Sequence, residues 1–208
     1  MTPSNPANPA DTAEARYQQR MARKKAVIDG KIAAAQEERG VLVVNTGNGK
    51  GKSSAAFGVL ARALGHGLNA AVVQFVKGRS DTGEEAFFRQ QTKVQWHVGG
   101  QGFTWETQDK TKDTEAAQDA WRVACEHLNN PDIGLVILDE MTYAFKYGWL
   151  DLADVLAVLY RRPEMQHVII TGRAAPTELL EAADTVSEIG MLKHAFQAGI
   201  KAMPGLEF

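Results

Sequence analysis

Several features that mark whole classes of protein are missing from this sequence. A single cysteine, Cys125, among 208 residues excludes an internal disulfide scaffold and a cysteine-rich zinc site. No apolar run approaches the roughly 18 residues that span a bilayer, and residues 1–10 lack the apolar segment of a secretory signal. We therefore expect a soluble, cytoplasmic protein with no membrane partner.

An excess of charge and a metal-ligand pattern are missing as well. Lys and Arg number 23 and Asp and Glu 25, a net charge of −2, which excludes a globally basic nucleic-acid binder but not a local basic patch. The five histidines show no metal-ligand spacing such as H-x-x-x-H. The absence of an Asn-Lys-x-Asp run disfavours a guanine-specific GTPase.

From Gly40 onward, short apolar runs alternate with helical stretches. Strands are predicted at 41–44, 70–76, 94–98, 135–138, 167–170 and 185–189, and helices at 53–64, 84–91, 114–128, 152–160 and 176–183. Several of the runs lack polar alternation, which is typical of strands buried on both faces. The pattern predicts one α/β domain over 40–208, an open and mostly parallel sheet with helices on both faces.

Residues 1–39 differ from the rest of the chain. Residues 1–10 are rich in Pro and Asn and are predicted to be disordered. Residues 11–39 have helical spacing, with four apolar residues on one face: Tyr17, Met21, Ile28 and Ile32. The other faces are basic. Composition leaves two readings open, a solvated surface helix or an arm that docks on the main domain or a partner chain.

The strongest motif follows the first strand of the domain and opens its first helix. It reads Thr46-Gly47-Asn48-Gly49-Lys50-Gly51-Lys52-Ser53, and Ser54 follows. Glycines let backbone N–H groups converge on an anion, and the positive end of the helix adds to the field. Lys52 is expected to reach phosphate oxygens, with Lys50 as a second cation, and Ser53 to ligate Mg²⁺. Thr46 stands where the general pattern G-x-x-x-x-G-K-[ST] has its first glycine.

Two carboxylates follow the apolar strand at 135–138. Asp139 and Glu140 stand at its carboxyl end, where open α/β sheets bind ligands. One of them is expected to hold Mg²⁺ directly or through water, and Glu140 is also a candidate general base for a water-attacking ATPase. Arg173 follows a neighbouring strand as a phosphate ligand or an ordinary surface arginine. With the loop, these residues favour a P-loop NTPase-like (RecA-like) fold with a nucleotide site.

Residues 99–112 form a long, polar, glycine-rich stretch that carries Phe103 and Trp105. Long connections inside compact domains are often functional. Composition alone does not decide whether the two aromatic side chains pin the loop to the core or serve the function.

Nearly the whole chain, from Tyr17 onward, resembles the P-loop ATP:corrinoid adenosyltransferases, the cob(I)yrinic acid a,c-diamide or cob(I)alamin adenosyltransferase family. The resemblance rests on motifs that are rare elsewhere. They are Tyr17-Gln18-Gln19-Arg20, Gln36-Glu37-Glu38-Arg39-Gly40, the loop at 46–52, Gln74-Phe75-Val76-Lys77-Gly78, Gly102-Phe103-Thr104-Trp105-Glu106-Thr107, Leu138-Asp139-Glu140, Ile169-Ile170-Thr171-Gly172-Arg173, Ala183-Asp184-Thr185-Val186-Ser187-Glu188 and Lys193-His194-Ala195-Phe196. Thr46 matches the form of the loop in this family.

The resemblance implies a particular reaction in adenosylcobalamin biosynthesis or salvage. The cobalt(I) of a reduced corrinoid attacks the 5′ carbon of ATP, and tripolyphosphate leaves intact. ATP is expected to lie reversed in the loop, with Mg²⁺ or Mn²⁺ as the metal, and no protein nucleophile is needed. Gln74, Lys77 and Arg173 are expected to contact phosphate or substrate.

The resemblance also implies partners. Phe103 and Trp105 would line the corrinoid face and displace the lower axial ligand of cobalt(II), so that a flavoprotein can reduce it. The basic arm would cover the active site of the other subunit in a homodimer. Two other hypotheses stay open at this point: a RecA-like ATPase in which Glu140 activates water, and a nucleotide-gated corrinoid carrier without turnover.

Overall fold

The computed structural model describes residues 13–76, 82–99 and 110–207. The chain divides into two compact units, Met1–Glu38 and Arg39–Phe208. The described part of the first unit holds one helix, α1 (Ala13–Ala34), none of whose residues is buried. The helix therefore ends five residues before the predicted Arg39, and the disorder predicted for 1–10 lies outside the described residues.

The second unit alternates strands with helices. Its strands are β1 (Leu42–Thr46), β2 (Ala70–Gln74), β3 (Val94–Val98), β4 (Leu135–Asp139), β5 (His167–Thr171) and β6 (Thr185–Glu188). Its helices are α2 (Lys52–Gly65), α3 (Gly83–Phe88), α4 (Lys110–Leu128), α5 (Thr142–Lys146), α6 (Leu152–Arg161) and α7 (Thr177–Ala182), followed by a 3₁₀ turn at Phe196–Ala198. Within the three described ranges, no helix is both long and apolar enough to cross a membrane.

The strands form one sheet in the order β3-β2-β4-β5-β1-β6, and every neighbouring pair is parallel. The predicted α/β class and parallel sheet are confirmed. Because all strands run the same way, the carboxyl ends of β1, β2, β4 and β5 lie at one edge of the sheet. This carboxyl edge brings together segments that are far apart in sequence.

Alternate residues of the strands pack under different helices. Val72, Ile137 and Ile169 lie in a cluster with Phe57 and Leu60 of α2. Their neighbours in sequence, including Val73, Leu138 and Ile170, lie in a second cluster with residues of α4, α6 and α7. Since side chains alternate across a strand, an unbroken apolar run serves both clusters at once.

The start of β1 is fastened to the residue before β6. Leu42 N donates to Asp184 Oδ2 at 2.8 Å, and Arg39 Nη1 and Nη2 donate to the same carboxylate at 2.9 and 2.6 Å. The hydrogen bonds from Arg39 lower the pKa of Asp184 to about 2. Strand β6 has exposed side chains and lies at the sheet edge, so this ion pair stabilises a junction with little apolar support.

Candidate nucleotide site

The loop between β1 and α2, which carries the predicted phosphate-binding motif and is called the phosphate loop below, depends on glycine for its backbone conformation. Gly47 and Gly51 have φ values of 97° and 113°, in the left-handed region that favours glycine. Gly49 N donates to Ile189 O at 2.7 Å, and Ile189 N donates to Thr46 O at 2.9 Å. A Cβ on Gly49 would lie 2.4 Å from Gly190 O. The loop therefore lies tightly against the segment that follows β6.

Lys52 begins α2 and points back into the loop. It is 5% exposed, and its Nζ donates to Gly49 O at 2.8 Å. Burial lowers the pKa of Lys52, against the opposing field of Glu140 and Asp139. The buried ammonium group thus donates to one loop carbonyl and lies in the electrostatic field of Asp139 and Glu140.

The second loop cation, Lys50, forms an ion pair with Glu207. The lysine side chain is 49% exposed and the glutamate side chain 17% exposed. No local pattern in the sequence points to Glu207, because the spacing of two residues so far apart does not signal a contact.

Asp139 is buried and held from two sides. Gln74 Nε2 donates to its Oδ2 at 3.0 Å, and Thr171 Oγ1 donates to its Oδ1 at 2.7 Å. Gln74 in turn accepts from Trp96 Nε1 at 3.1 Å. Gln74, Asp139 and Thr171 are the last residues of neighbouring strands and Trp96 is the middle residue of β3, so the parallel sheet itself builds this chain of hydrogen bonds.

Glu140 has an unusual backbone and an unpaired carboxylate oxygen. Its φ is 55°, rare for a side-chain-bearing residue, and its N donates to Thr171 Oγ1 at 2.9 Å. Its buried Oε2 has no hydrogen-bond partner among the described residues. Burial, and then the charge of Asp139, raise the pKa of Glu140 to about 7, although Lys52 and Arg173 oppose the shift. A residue with a strained backbone and a buried, unpaired carboxylate oxygen is typical of a ligand-binding position.

Arg173 lies in the loop after β5, at the same edge. Gly172 N donates to Asn45 O at 3.2 Å, and Thr142 Oγ1 donates to Arg173 O at 2.8 Å. Ala175 N donates to Thr46 Oγ1 at 3.3 Å. The backbone of this loop is fixed against both the phosphate loop and α5, while the Arg173 side chain is exposed.

The residues at this edge fit a magnesium ion. Ser53 in the first turn of α2 supplies a hydroxyl, and Asp139 and Glu140 supply carboxylate oxygens, which Mg²⁺ prefers. The described residues contain no group of three or more His, Cys, Asp or Glu that could hold a metal unaided. Mg²⁺ usually keeps several waters and takes phosphate oxygens as further ligands. The unpaired Glu140 Oε2 is the observation that favours such an ion.

A cavity of about 410 Å³ opens beside the loop. One wall is formed by Lys50, Gly51 and Ser54, and the other by residues after β6: Gly190, Met191, Lys193, His194, Ala195, Leu206 and Glu207. Its volume lies in the range of small-molecule sites, roughly 300–1,000 Å³. The motif Lys193-His194-Ala195-Phe196 signalled this wall in the sequence, but no role was drawn from it.

The structure therefore brings most predicted residues to one edge, though with different surroundings. Residues 47–54, Asp139, Glu140 and Arg173 all lie there. Gln74 is 6% exposed and its side chain is hydrogen-bonded to Asp139, so it is placed to orient that carboxylate. Lys77, Phe103 and Trp105 lie outside the described residues.

Comparison with known sequences decides between the remaining readings of this site. A family model described as ATP:corrinoid adenosyltransferase BtuR/CobO/CobP matches residues 38–208. The chain belongs to this family. A second model, described as the N-terminal part of cob(I)alamin adenosyltransferase, matches residues 5–32.

Named relatives support the same family over nearly the whole chain. A corrinoid adenosyltransferase of Pseudomonas aeruginosa is 57% identical over 97% of this chain and 100% of its own length. The corrinoid adenosyltransferase CobA of Salmonella typhimurium is 47% identical over 94% of this chain and 100% of its own length. Among solved structures, the flagellar accessory protein FlaH of Methanocaldococcus jannaschii has a TM-score of 0.47 and 15% identity, over 73% of this chain and 71% of that chain. A likeness at that score carries no functional argument.

As a corrinoid adenosyltransferase, the chain is an ATP-using alkyl transferase. The hypothesis of a RecA-like ATPase gains no support from these relatives.

Proposed function

We propose that this chain transfers the 5′-deoxyadenosyl group of ATP to the cobalt(I) of a reduced corrinoid and releases tripolyphosphate. Family membership over residues 38–208 is the observation that carries the proposal. The electron pair of cobalt(I) forms the bond to C5′, and the C5′–O bond breaks with its electrons going to tripolyphosphate. Cobalt is formally oxidised by two electrons, and no proton transfer is required.

The chemistry asks for positioning rather than for a nucleophile of the protein. Because the corrinoid supplies the attacking electrons, the chain must hold the ribose carbon in line and stabilise charge on the leaving polyphosphate. In this proposal Lys52, the loop amides other than that of Gly49, and the start of α2 bind that polyphosphate. Lys50 and Arg173 add cations at the rim of the same edge.

The two carboxylates have different roles in this proposal. Glu140 would hold Mg²⁺ with Ser53, since its Oε2 is free of described partners. Asp139, fixed by Gln74 and Thr171, would act on the same ion directly or through water. When bound, Mg²⁺ would neutralise charge that develops on the polyphosphate.

We propose that Phe103 and Trp105 face the corrinoid, on the resemblance of their motif alone. In that role their rings would displace the lower axial donor of cobalt(II), which makes reduction by a flavoprotein feasible. Replacing Trp105 with Ala should then impair the reaction from cobalt(II) much more than the reaction from chemically prepared cobalt(I). Equal impairment in the two assays would remove this role.

We also propose that the basic helix α1 covers the site of a partner subunit in a homodimer. Support comes from α1 itself, whose apolar residues Tyr17, Val27 and Ile32 are all more than half exposed. Such residues are uncovered within their own unit, and basic side chains accompany them along the helix.

A nucleotide analogue separates adenosyl transfer from ATP hydrolysis. In β,γ-methylene ATP the terminal bridge cannot be hydrolysed, yet the C5′–O bond is intact. With Mg²⁺ and chemically reduced corrinoid, the analogue should still give a light-sensitive alkylcobalt product. Transfer from ATP should release tripolyphosphate in equal amount, and Lys52→Ala should lose most of it because polyphosphate binding fails.

An ATPase would give a different pattern. Release of ADP and orthophosphate from ATP, with no product from the analogue, would contradict adenosyl transfer. Tight binding of ATP and corrinoid without any turnover would instead favour the carrier hypothesis.

A further inference from the structure

Both lysines of the phosphate loop are already engaged by oxygens of the chain. Lys52 Nζ donates to a neutral acceptor, Gly49 O, at 2.8 Å. Lys50 is paired with a charged one, the carboxylate of Glu207. A polyphosphate that replaces the carbonyl at Lys52 meets little resistance, whereas one that reaches Lys50 must displace an anion.

The position of Glu207 is built by the fold. Its N donates to Met203 O at 2.9 Å, which closes a turn through Gly205, whose φ of 81° lies in the left-handed region. Leu206 of that turn lines both the cavity beside the phosphate loop and a second cavity of about 250 Å³ next to Gly83 and Glu84 at the start of α3. The turn therefore holds the Glu207 carboxylate in the wall that faces Lys50.

We propose that Glu207 is a resident counter-anion of the phosphate loop, which polyphosphate must displace from Lys50 in order to bind. The inference rests on the proposed function, since it concerns the leaving group of that reaction. It makes Glu207 a specificity-determining residue: ligands that reach Lys52 alone leave the ion pair intact, and ligands long enough to reach both lysines break it. The returning carboxylate also favours release of tripolyphosphate after transfer.

Binding of inorganic tripolyphosphate to the full chain, measured by calorimetry without corrinoid, tests the proposal. Glu207→Gln keeps the size of the side chain and removes its charge. The variant should bind tripolyphosphate about three- to tenfold more tightly at low salt, because an exposed ion pair and the repulsion of the polyanion are both removed. Binding of orthophosphate, the shorter anion, should change less than binding of tripolyphosphate.

Two further variants test whether the gain in affinity is a general effect of removing a negative charge. Glu164→Gln makes the same change at an exposed position in the turn before β5, at the opposite edge of the sheet, and should leave the affinity for tripolyphosphate unchanged. In a Lys50→Met background, Glu207→Gln should give a clearly smaller gain, because the competition for the cation is gone and only the repulsion of the polyanion is relieved.

The outcomes are separable from those of the adenosyl-transfer assay. The proposal that Glu207 is a counter-anion is overturned if Glu207→Gln binds tripolyphosphate no more tightly than wild type. It is also overturned if the gain in affinity is equally large in the Lys50→Met background. If the gain in tripolyphosphate affinity appears as expected while the wild-type chain forms no alkylcobalt product, the role of Glu207 is supported and the proposed function is contradicted.

Discussion

At the scale of single residues, the site holds positive and negative side chains close together and partly shielded from water. Lys52 loses hydration, and burial lowers its pKa, while two carboxylates work in the other direction. Glu140 loses hydration as well and lies beside Asp139, so its pKa rises to about 7. The charged forms of Lys52 and Glu140 are therefore less stable than they would be in water. A bound ligand of opposite charge would stabilise the charged form of each.

Replacing Glu140 with Gln should stabilise the metal-free protein at high pH. Its pKa is about 7 in the folded state against an ordinary value of 4.5, so the folded state keeps a proton that the unfolded chain releases between those values. The free energy of unfolding of the wild-type protein should therefore fall as the pH rises through that window. Relative to wild type, Glu140→Gln should gain on the order of 2 kcal/mol above pH 7, and little near pH 4.5.

Urea denaturation at pH 5 and pH 8, without divalent cations, measures this gain. The exposed Glu164→Gln serves as control and should show no such difference. A gain of equal size at both pH values would mean that packing, and not ionisation, separates Glu140→Gln from wild type.

At the scale of elements, two short contacts decide how β1 and its loop are placed. The phosphate loop is packed against the segment after β6, and the start of β1 is tied to Asp184 just before β6. Both contacts depend on β6 lying beside β1.

Replacing Gly49 with Ala should disrupt the loop. The new Cβ would lie 2.4 Å from Gly190 O, which is a backbone atom and cannot turn away. We expect a loss of about 2 kcal/mol or more in stability, with much weaker ATP binding, measured by thermal melting and calorimetry. Gly58→Ala in α2 is the matched control, because nothing lies within 4 Å of its Cβ, and it should stabilise the helix by about 0.5–1 kcal/mol.

Replacing Asp184 with Asn should loosen the junction of β1 and β6. The pKa of Asp184 is about 2, so the ion pair contributes stability above the ordinary value of 3.8 that is lost as the pH falls towards 2. Because the carboxylate is partly exposed, we expect a loss of about 1 kcal/mol at pH 7, and about half of that at pH 3. Urea denaturation at the two pH values measures it.

Asp119→Asn is the control, because it removes an ion pair with Arg122 on α4 that is more exposed to solvent than the pair of Arg39 and Asp184. It should change stability by less than about 0.5 kcal/mol at either pH. If the loss in Asp184→Asn were just as small, the junction would be held by the backbone alone.

At the scale of the whole molecule, the core belongs to one unit. Both apolar clusters lie between Leu42 and Leu179, and α1 buries none of its residues. Arg39, which holds Asp184, also falls on the core side of the division between the units.

Deleting residues 1–38 should therefore leave the remaining unit folded, with a midpoint of thermal unfolding within about 4 °C of the full chain. Under the proposed function, the same deletion should lower adenosyl transfer, because the arm would no longer cover the partner's site. Circular dichroism with melting, followed by the transfer assay, measures both effects. A deletion variant that unfolds would show that the arm is part of the stable core.

The sequence predicted the strands better than it predicted the residues that surround the candidate site. Buried apolar runs such as that of β4 are local signals, and all six strands were expected near their observed positions. The five-residue helix α5 was missed because so short a segment shows no helical period. The partners of Asp139 and Lys50 were missed for another reason: Thr171 and Glu207 are brought there by strand order and by a turn, and neither leaves a trace in local spacing.

Lys50 and Glu207 are 157 residues apart in the chain. Contacts between such distant residues are slow to form, because much of the intervening chain must be in place first. A fluorescent polyphosphate analogue added during refolding from urea would therefore gain its full binding signal only at the end, after the helical circular dichroism has recovered. Ligand binding beside the phosphate loop would in this way report that folding is complete.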